Sequence, residues 1–121
     1  MKKLITFLCI ALFALFQTYG QEDRLIWSNA MNYAQTLDTQ NYSDWYLPDV
    51  NELKEIRNLL FNKLNVGNFE SDYYWSSETV PTDQGDAYGV YFPNGNVGPI
   101  KKDRQNIVSL NFVRPLRQIK L

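Results

Sequence analysis

Carboxylates, tyrosines and basic side chains are the groups of this chain that could do chemistry, because none of its 121 residues is a histidine. Histidine is both the commonest general base and the commonest metal ligand in proteins. Glu78, Asp83 and Asp86 lie close enough in sequence to surround a cation with oxygen ligands. A solvated acidic loop explains the same three residues, and we favour that interpretation. No metal and no other cofactor is therefore expected.

Catalysis has few residues to use. Ser76 and Ser77 have no histidine partner and belong to no Ser-x-x-Lys pattern that could activate a hydroxyl. A pair of carboxylates can hydrolyse a glycosidic bond. However, 13 acidic residues make some close pair expected by chance alone. We therefore predict that the protein is not an enzyme, and a hydrolase that uses Glu78, Asp83 and Asp86 stays an alternative.

Tyrosines and basic residues are better placed for binding. Neighbouring residues of a strand point to opposite faces, so some of Tyr73, Tyr74, Tyr88 and Tyr91 should be exposed. Residues 101–121 carry a net charge of +5, whereas residues 21–100 carry −8. This basic stretch could bind a polyanion, or its members could pair with acidic helices and protect an edge strand. The candidate ligand-binding residues are Tyr88, Tyr91, Lys101, Lys102 and Arg104.

The amino-terminal segment predicts export. Lys2 and Lys3 precede the apolar run 4–16, which is shorter than the roughly 20 residues needed to span a bilayer. Small residues at Thr18 and Gly20 suit cleavage after Gly20. We predict a signal peptide over 1–20 and one domain over 21–121 in the periplasm, on the outer surface or secreted. Its partners would include no nucleic acid, and it would keep no stable membrane span.

The pattern of apolar residues predicts an α+β fold, with two helices packed on a twisted, mostly antiparallel sheet. Helices are expected over 27–37 and 50–64, the second capped by Asp49 with Glu52 three residues later. The second helix carries one apolar stripe, formed by Val50, Leu53, Ile56, Leu60 and Leu64. The three tryptophans are expected in the core, and Arg114 is a candidate partner for buried backbone. Asn94-Gly95 is a hairpin signal. The strands are expected over 73–76, 87–92, 97–101 and 107–114, with a loop over 77–86 and Val108, Leu110 and Phe112 on one face of the last strand.

Three patches, in this order, carry a family resemblance. They are Trp27-Ser28-Asn29-Ala30; Ser43-Asp44-Trp45-Tyr46-Leu47-Pro48 followed by Asn51-Glu52-Leu53; and Tyr74-Trp75-Ser76-Ser77 followed by Ala87-Tyr88, Val90, Phe92, Asn94-Gly95 and Phe112-Val113-Arg114. This set resembles the Lcl C-terminal domain family, most of whose members have no assigned function. The resemblance implies a C-type-lectin-like fold, akin to the non-catalytic core of formylglycine-generating enzymes, in which long loops carry whatever is bound.

The chain departs from the family pattern at two places. The family usually has Trp-Arg-Leu-Pro where this chain has Tyr46 in place of the arginine, so any role of that arginine is in doubt here. Cysteines common in the family near the first helix and the last strand are also missing, and Pro115 follows Arg114.

These observations favour an exported, non-catalytic binding module. It would contact a cell-surface glycan or polyanion through the segments 77–86 and 93–106. The alternative is a structural or assembly subunit of an envelope protein complex, which would dock through the same face.

Overall fold

The computed structural model describes residues 24–39, 41–65, 67–102 and 109–118. The described chain contains two helices and a five-stranded sheet, so the predicted α+β class is confirmed. The elements in chain order are β1 (Arg24–Leu25), α1 (Trp27–Thr36), α2 (Val50–Ile56) with its π-helical continuation (Arg57–Leu64), β2 (Tyr73–Val80), β3 (Asp83–Tyr91), β4 (Asn96–Lys101) and β5 (Asn111–Phe112).

The strand order in the sheet is β1-β5-β2-β3-β4. Three of the four neighbouring pairs are antiparallel, and β2 with β5 is parallel. The expectation of a mostly antiparallel sheet is therefore confirmed, whereas the C-type-lectin-like architecture stays a prediction. The predicted signal peptide over 1–20 lies outside the described residues. Within the described ranges, no helix is both long and apolar enough to cross a membrane.

Each face of the sheet is covered by one helix. Successive side chains of a strand point to opposite faces, so Tyr74 packs with Val90 against α2, while Trp75 packs with Ala87 against α1. Trp45 also lies in the α2 core, so the core prediction is confirmed for Trp45 and Trp75. The sheet is therefore buried in its centre on both faces.

Helix α1 is fixed to the sheet by two indoles. Ala30 and Ala34 are fully buried, and their small side chains let the helix approach Trp75 closely. The indole N–H of Trp75 donates to the carbonyl of Leu25 at 2.7 Å, and that of Trp27 donates to the carbonyl of Ser76 at 2.9 Å. Trp27 is only partly buried, so it lies at the rim of the core that was predicted to contain it.

Helix α2 begins with the predicted capping box. Asp49 accepts from the Glu52 amide at 2.8 Å, and the Glu52 carboxylate accepts from the Asp49 amide at 3.0 Å. Two of the orphan N–H groups of the first turn are thereby satisfied. After Ile56 the helix widens into a π-helix and ends at Asn65, whose φ of 52° is left-handed.

The apolar stripe predicted through Leu64 ends earlier in the structure. Leu60 is buried, but Leu64 is 47% exposed. A π-helix closes its hydrogen bonds over five residues instead of four, so a residue four positions after Leu60 no longer lies on the same face. The prediction was therefore wrong for Leu64.

The predicted loop over 77–86 is instead a β-hairpin. Strand β2 continues to Val80 and β3 begins at Asp83, with only Pro81 and Thr82 in the turn. Proline needs no N–H at a turn, so it ends the strand without excluding the residues before it. The pairing is irregular between Trp75 and Thr79, which explains why residues 77–80 lack a clean alternation.

The last strand is shorter than expected and differs in its exposure. Only Asn111 and Phe112 form β5, and residues 107 and 108 lie outside the described ranges. Leu110 is 51% exposed, whereas Asn111 is buried. The spacing places Leu110 on one face with Phe112; Phe112 packs against the α2 core, whereas Leu110 lies outside the two-residue strand and is exposed.

Strand β4 is one of the two edge strands of the described sheet, and β1 is the other. The amide of Lys102 donates to the carbonyl of Gly85 at 2.9 Å, so alternate residues back to Asn96 direct their backbone groups towards β3. The position of Pro99 then faces outwards, where the missing N–H of proline costs nothing. This edge therefore lacks a donor that an added strand would use.

Candidate functional site

The predicted ligand-binding residues lie on two different faces of the sheet. Tyr88 and Tyr91 are three positions apart on β3, and their cross-strand partners are Pro99 and Asn96. An odd separation along a strand sends side chains to opposite faces. Lys101 lies opposite Asp86 in the register of β3 with β4, and it shares the face of Tyr88. The structure therefore does not bring the predicted residues together into one site.

The face that carries Tyr91 also carries Tyr73, Asn96 and Gly98, and we call these four residues the tyrosine face. Tyr73 pairs with Tyr91 across β2 and β3, and Tyr91 pairs with Asn96 across β3 and β4. The two rings have centroids 4.7 Å apart at an interplanar angle of 40°. Both tyrosines are partly exposed and Asn96 is exposed. Aromatic rings beside an accessible amide suit a ligand with apolar C–H surfaces and hydroxyl groups.

Gly98 leaves bare backbone beside this row. A Cβ built on Gly98 would have no atom of the described residues within 4 Å, whereas one on its partner Gly89 would lie 2.4 Å from Ile100 Cδ1. The side chain of Ile100 therefore fills the space beside Gly89, whereas no described side chain fills the space beside Gly98. A ligand can approach the backbone of β4 at Gly98.

The turn that ends the tyrosine face is held from the opposite side of the sheet. Arg57 donates from Nε to the carbonyl of Phe92 at 2.6 Å and from Nη2 to that of Pro93 at 3.1 Å. The amide of Gly95 donates to the carbonyl of Tyr91 at 2.7 Å, and the amide of Asn96 donates to Asn94 Oδ1 at 2.9 Å. These bonds fix the backbone at Tyr91 and Asn96 before any ligand arrives.

Most of the described basic residues near the carboxyl end have structural contacts. Lys102 donates to Thr79 Oγ1 at 2.8 Å, and its Nζ lies 4.0 Å from the centroid of Trp27. Arg117 donates to both carboxylate oxygens of Asp44, at 2.6 and 3.2 Å. Arg104 lies outside the described residues. The described part of the predicted basic edge is therefore largely occupied by contacts within the chain.

Arg114 is, with Arg117, one of the two buried cations among the described residues. Its Nη1 donates to the carbonyl of Gly67 at 2.9 Å and its Nη2 to that of Asn68 at 3.5 Å. The guanidinium also stacks 4.2 Å from the centroid of Phe69. Burial lowers the pKa of Arg114 from its ordinary value. The predicted role of Arg114 as a partner for buried backbone is confirmed.

Two of the acidic candidates, Glu78 and Asp83, accept hydrogen bonds from backbone amides. Glu78 Oε1 accepts from the amide of Val50 at 3.0 Å and so satisfies a further N–H of the first turn of α2. Asp83 Oδ1 accepts from the amide of Gly85 at 3.0 Å within the hairpin. In the part of the chain that the structure describes, Glu78, Asp83 and Asp86 form no group able to hold a metal ion.

A cleft of about 610 Å³ opens where the amino-terminal end of α2 meets the segment before it. Tyr46 OH donates to Glu52 Oε2 at 2.6 Å, and Glu52 Oε1 accepts from Asp49. Both oxygens of this buried carboxylate therefore have structural partners. No local pattern in the sequence predicts this cleft, although Tyr46 is a position at which the chain departs from the family pattern. The lining residues are Asp44, Tyr46, Leu47, Asp49, Glu52, Ser77 and Gln118.

The Tyr46–Glu52 contact should make the fold sensitive to alkali. Burial, and then the hydrogen bond and negative charge of Glu52, raise the pKa of Tyr46 above its usual value. Since unfolded tyrosine ionises near pH 10, the stability that Tyr46 contributes is complete below about pH 10 and is lost as the pH rises towards its folded pKa. Tyr46→Phe should therefore lose less stability than the wild type between about pH 8 and about pH 11 in urea titrations.

Tyr42→Phe is the matched control, because Tyr42 is exposed. At about pH 8, Tyr46→Phe should cost roughly 1–2 kcal/mol through the donor withdrawn from Glu52. An alkaline loss of stability identical in the wild type and Tyr46→Phe would contradict the assignment.

These features define the class of the protein. It is a small α+β domain that carries a shallow aromatic face and a cleft, and whose described carboxylates and cations are mainly engaged with backbone and with one another. The chain belongs to the Lcl C-terminal domain family, because the model of the Lcl C-terminal domain matches residues 9–114. The family membership expected from the three sequence patches is thereby confirmed. No curated protein matches the chain.

Proposed function

We propose that this protein is an exported, non-catalytic binding module that contacts a surface glycan through the tyrosine face. The observation that carries the proposal is the row Tyr73–Tyr91–Asn96, with the bare backbone of Gly98 beside it. Sugar rings present C–H surfaces that pack on aromatic rings and hydroxyls that bond to amides. Asn96 and Gly98 belong to the segment 93–106 in which the sequence predicted the contact surface.

Charge favours a neutral glycan over a polyanion. A polyanion site needs accessible cations whose positive potential is not already neutralised. Lys102 and Arg117 are bound within the chain, and Arg114 is buried. Among the described members of the predicted basic stretch, this leaves Lys101, which lies on the face opposite the tyrosine face.

Two contacts support the non-catalytic part of the proposal. Glu52, the buried carboxylate of the cleft, accepts from Tyr46 and from the Asp49 amide. Glu78 accepts from the first turn of α2. A general acid or base must reach the proton that it transfers, and these two carboxylates are committed to bonds that hold the helix.

The test compares two tyrosines on one strand. The purified protein is applied to a glycan array that contains neutral and sulfated chains, and affinities for positive glycans are measured by calorimetry. Tyr91→Ala should weaken binding at least about tenfold, a loss of about 1.4 kcal/mol. Tyr88→Ala should leave the affinity unchanged, because Tyr88 lies on the opposite face.

Thermal unfolding of both variants shows that each is folded. Absence of binding across the array would contradict the proposal, as would an equal loss in both variants. Capture of an envelope protein instead of a glycan would favour the assembly-subunit alternative.

A further inference from the structure

The open surface beside the tyrosine face extends along β4. Alternation places Asn96, Gly98 and Ile100 on one face of this strand. We call this row of three residues the β4 strip. The distance from the Asn96 row to the Ile100 row is four residues, about 13 Å at the rise of an antiparallel strand. Gly98 lies halfway, with open space above it. The strip is therefore longer than a single sugar ring.

One long side of this strip is a free edge of the sheet. Among the described strands, β4 pairs with β3 alone, and the outward position of Pro99 lacks the N–H that an added strand would need. No described residue therefore borders the β4 strip on this side, where it could enclose the end of a glycan chain. A surface without such a border suits a chain that passes across it.

The chemistry along the strip is uncharged. It begins at the rings of Tyr73 and Tyr91 and the amide of Asn96, crosses bare backbone at Gly98 and ends at the apolar side chain of Ile100. Lys102, two residues beyond Ile100, donates to Thr79 and stacks on Trp27. A ligand that matches the strip has hydroxyls and C–H surfaces and no requirement for charge.

We propose that the tyrosine face and the β4 strip bind an internal stretch of an extended, uncharged polysaccharide, and not a terminal sugar; this rests on the proposed function. The rings of Tyr73 and Tyr91 hold one sugar unit, and the following units lie over Gly98 towards Ile100. Affinity then depends on chain length and not on the chemistry of the chain ends.

The experiment uses neutral gluco-, manno- and xylo-oligosaccharides as monosaccharide, trisaccharide and hexasaccharide. Calorimetric affinity should rise at least about tenfold from monosaccharide to hexasaccharide, and blocking the non-reducing end should change it little. Raising the salt concentration should also change it little, because screening acts on charge–charge contacts.

Gly98→Val is the decisive variant. Its Cβ meets no atom of the described chain within 4 Å and its backbone is not left-handed. Since valine also favours strands, its melting temperature should equal or exceed that of the wild type. It should nevertheless weaken hexasaccharide binding at least about tenfold, because the branched side chain fills the space over β4. The monosaccharide affinity should change much less.

The outcomes separate the two proposals. If the monosaccharide binds as tightly as the hexasaccharide, or if Gly98→Val binds like the wild type while Tyr91→Ala loses binding, the extended-chain inference is overturned and the glycan-binding function stands. If no glycan of the array or of these series binds the wild type, both are overturned.

Discussion

Trp75→Ala is expected to lower the free energy of unfolding by about 3–5 kcal/mol, the usual cost of removing a large aromatic side chain from a core. Trp75 is fully buried between β2 and α1. Its substitution would leave a cavity against Ala30 and Ala34, whose short side chains cannot move in to fill it. It would also leave the carbonyl of Leu25 without its indole donor. Urea denaturation followed by far-UV circular dichroism measures the loss.

Trp27→Ala is the matched comparison for this prediction. Trp27 also donates its indole N–H to a backbone carbonyl, but it lies at the rim of the same core. Its replacement should cost about half as much, because the site opens to water and no closed cavity forms. If Trp75→Ala yields too little folded protein, Trp75→Phe should still cost about 1–2 kcal/mol. Equal costs at positions 27 and 75 would contradict the packing described above.

Arg114→Met is expected to lower the free energy of unfolding by about 2–3 kcal/mol. Methionine has a similar length and fills much of the same space, so the change isolates the loss of the charged donors. The carbonyls of Gly67 and Asn68 lose bonds of a kind worth about 1.5–3 kcal/mol when the donor is charged. The stacking on Phe69 adds to this loss, while relief from burying a charge reduces it.

Arg114→Lys separates charge from geometry. An ammonium group keeps the charge but cannot present the planar fork that reaches two carbonyls and a ring face, so this variant should recover less than half of the lost stability. Arg117→Met provides a second comparison, because Arg117 binds a largely exposed carboxylate. A cost below about 0.5 kcal/mol for Arg114→Met would show that the buried guanidinium does not stabilise the fold.

Local signals in the sequence predicted the two helices and part of the core. The Asp49–Glu52 capping box depends on residues three positions apart, so its spacing alone places the start of α2. Trp45 and Trp75 were assigned to the core because large aromatics beside regular elements gain most from burial. The role of Arg114 was also anticipated, although not its carbonyl partners, which lie 47 and 46 residues away.

Features set by distant contacts could not be predicted. The π-helical turns coincide with long-range contacts, such as the bond from Arg57 to the carbonyl of Phe92 in the turn after β3. The spacing of apolar residues within the helix therefore does not predict that Leu64 is exposed. Leu110 is exposed and lies outside β5, whose two residues pair with distant strands.

Tyr88 and Tyr91 both lie in the expected strand 87–92, so their odd separation alone places them on opposite faces. The sequence could not show that Tyr91 lies beside Tyr73 and Asn96, because that depends on the register of β3 with its neighbours.

The pairing of the first strand with the last has a consequence for how the chain acquires its structure. Leu25 lies opposite Asn111, so β1 pairs with a strand that lies 86 residues further along the chain. Strands β2, β3 and β4 follow one another through short turns and close small loops, which favours fast pairing. We therefore expect a folding pathway in which this meander forms early, and in which the long-range docking of β1 on β5 follows it.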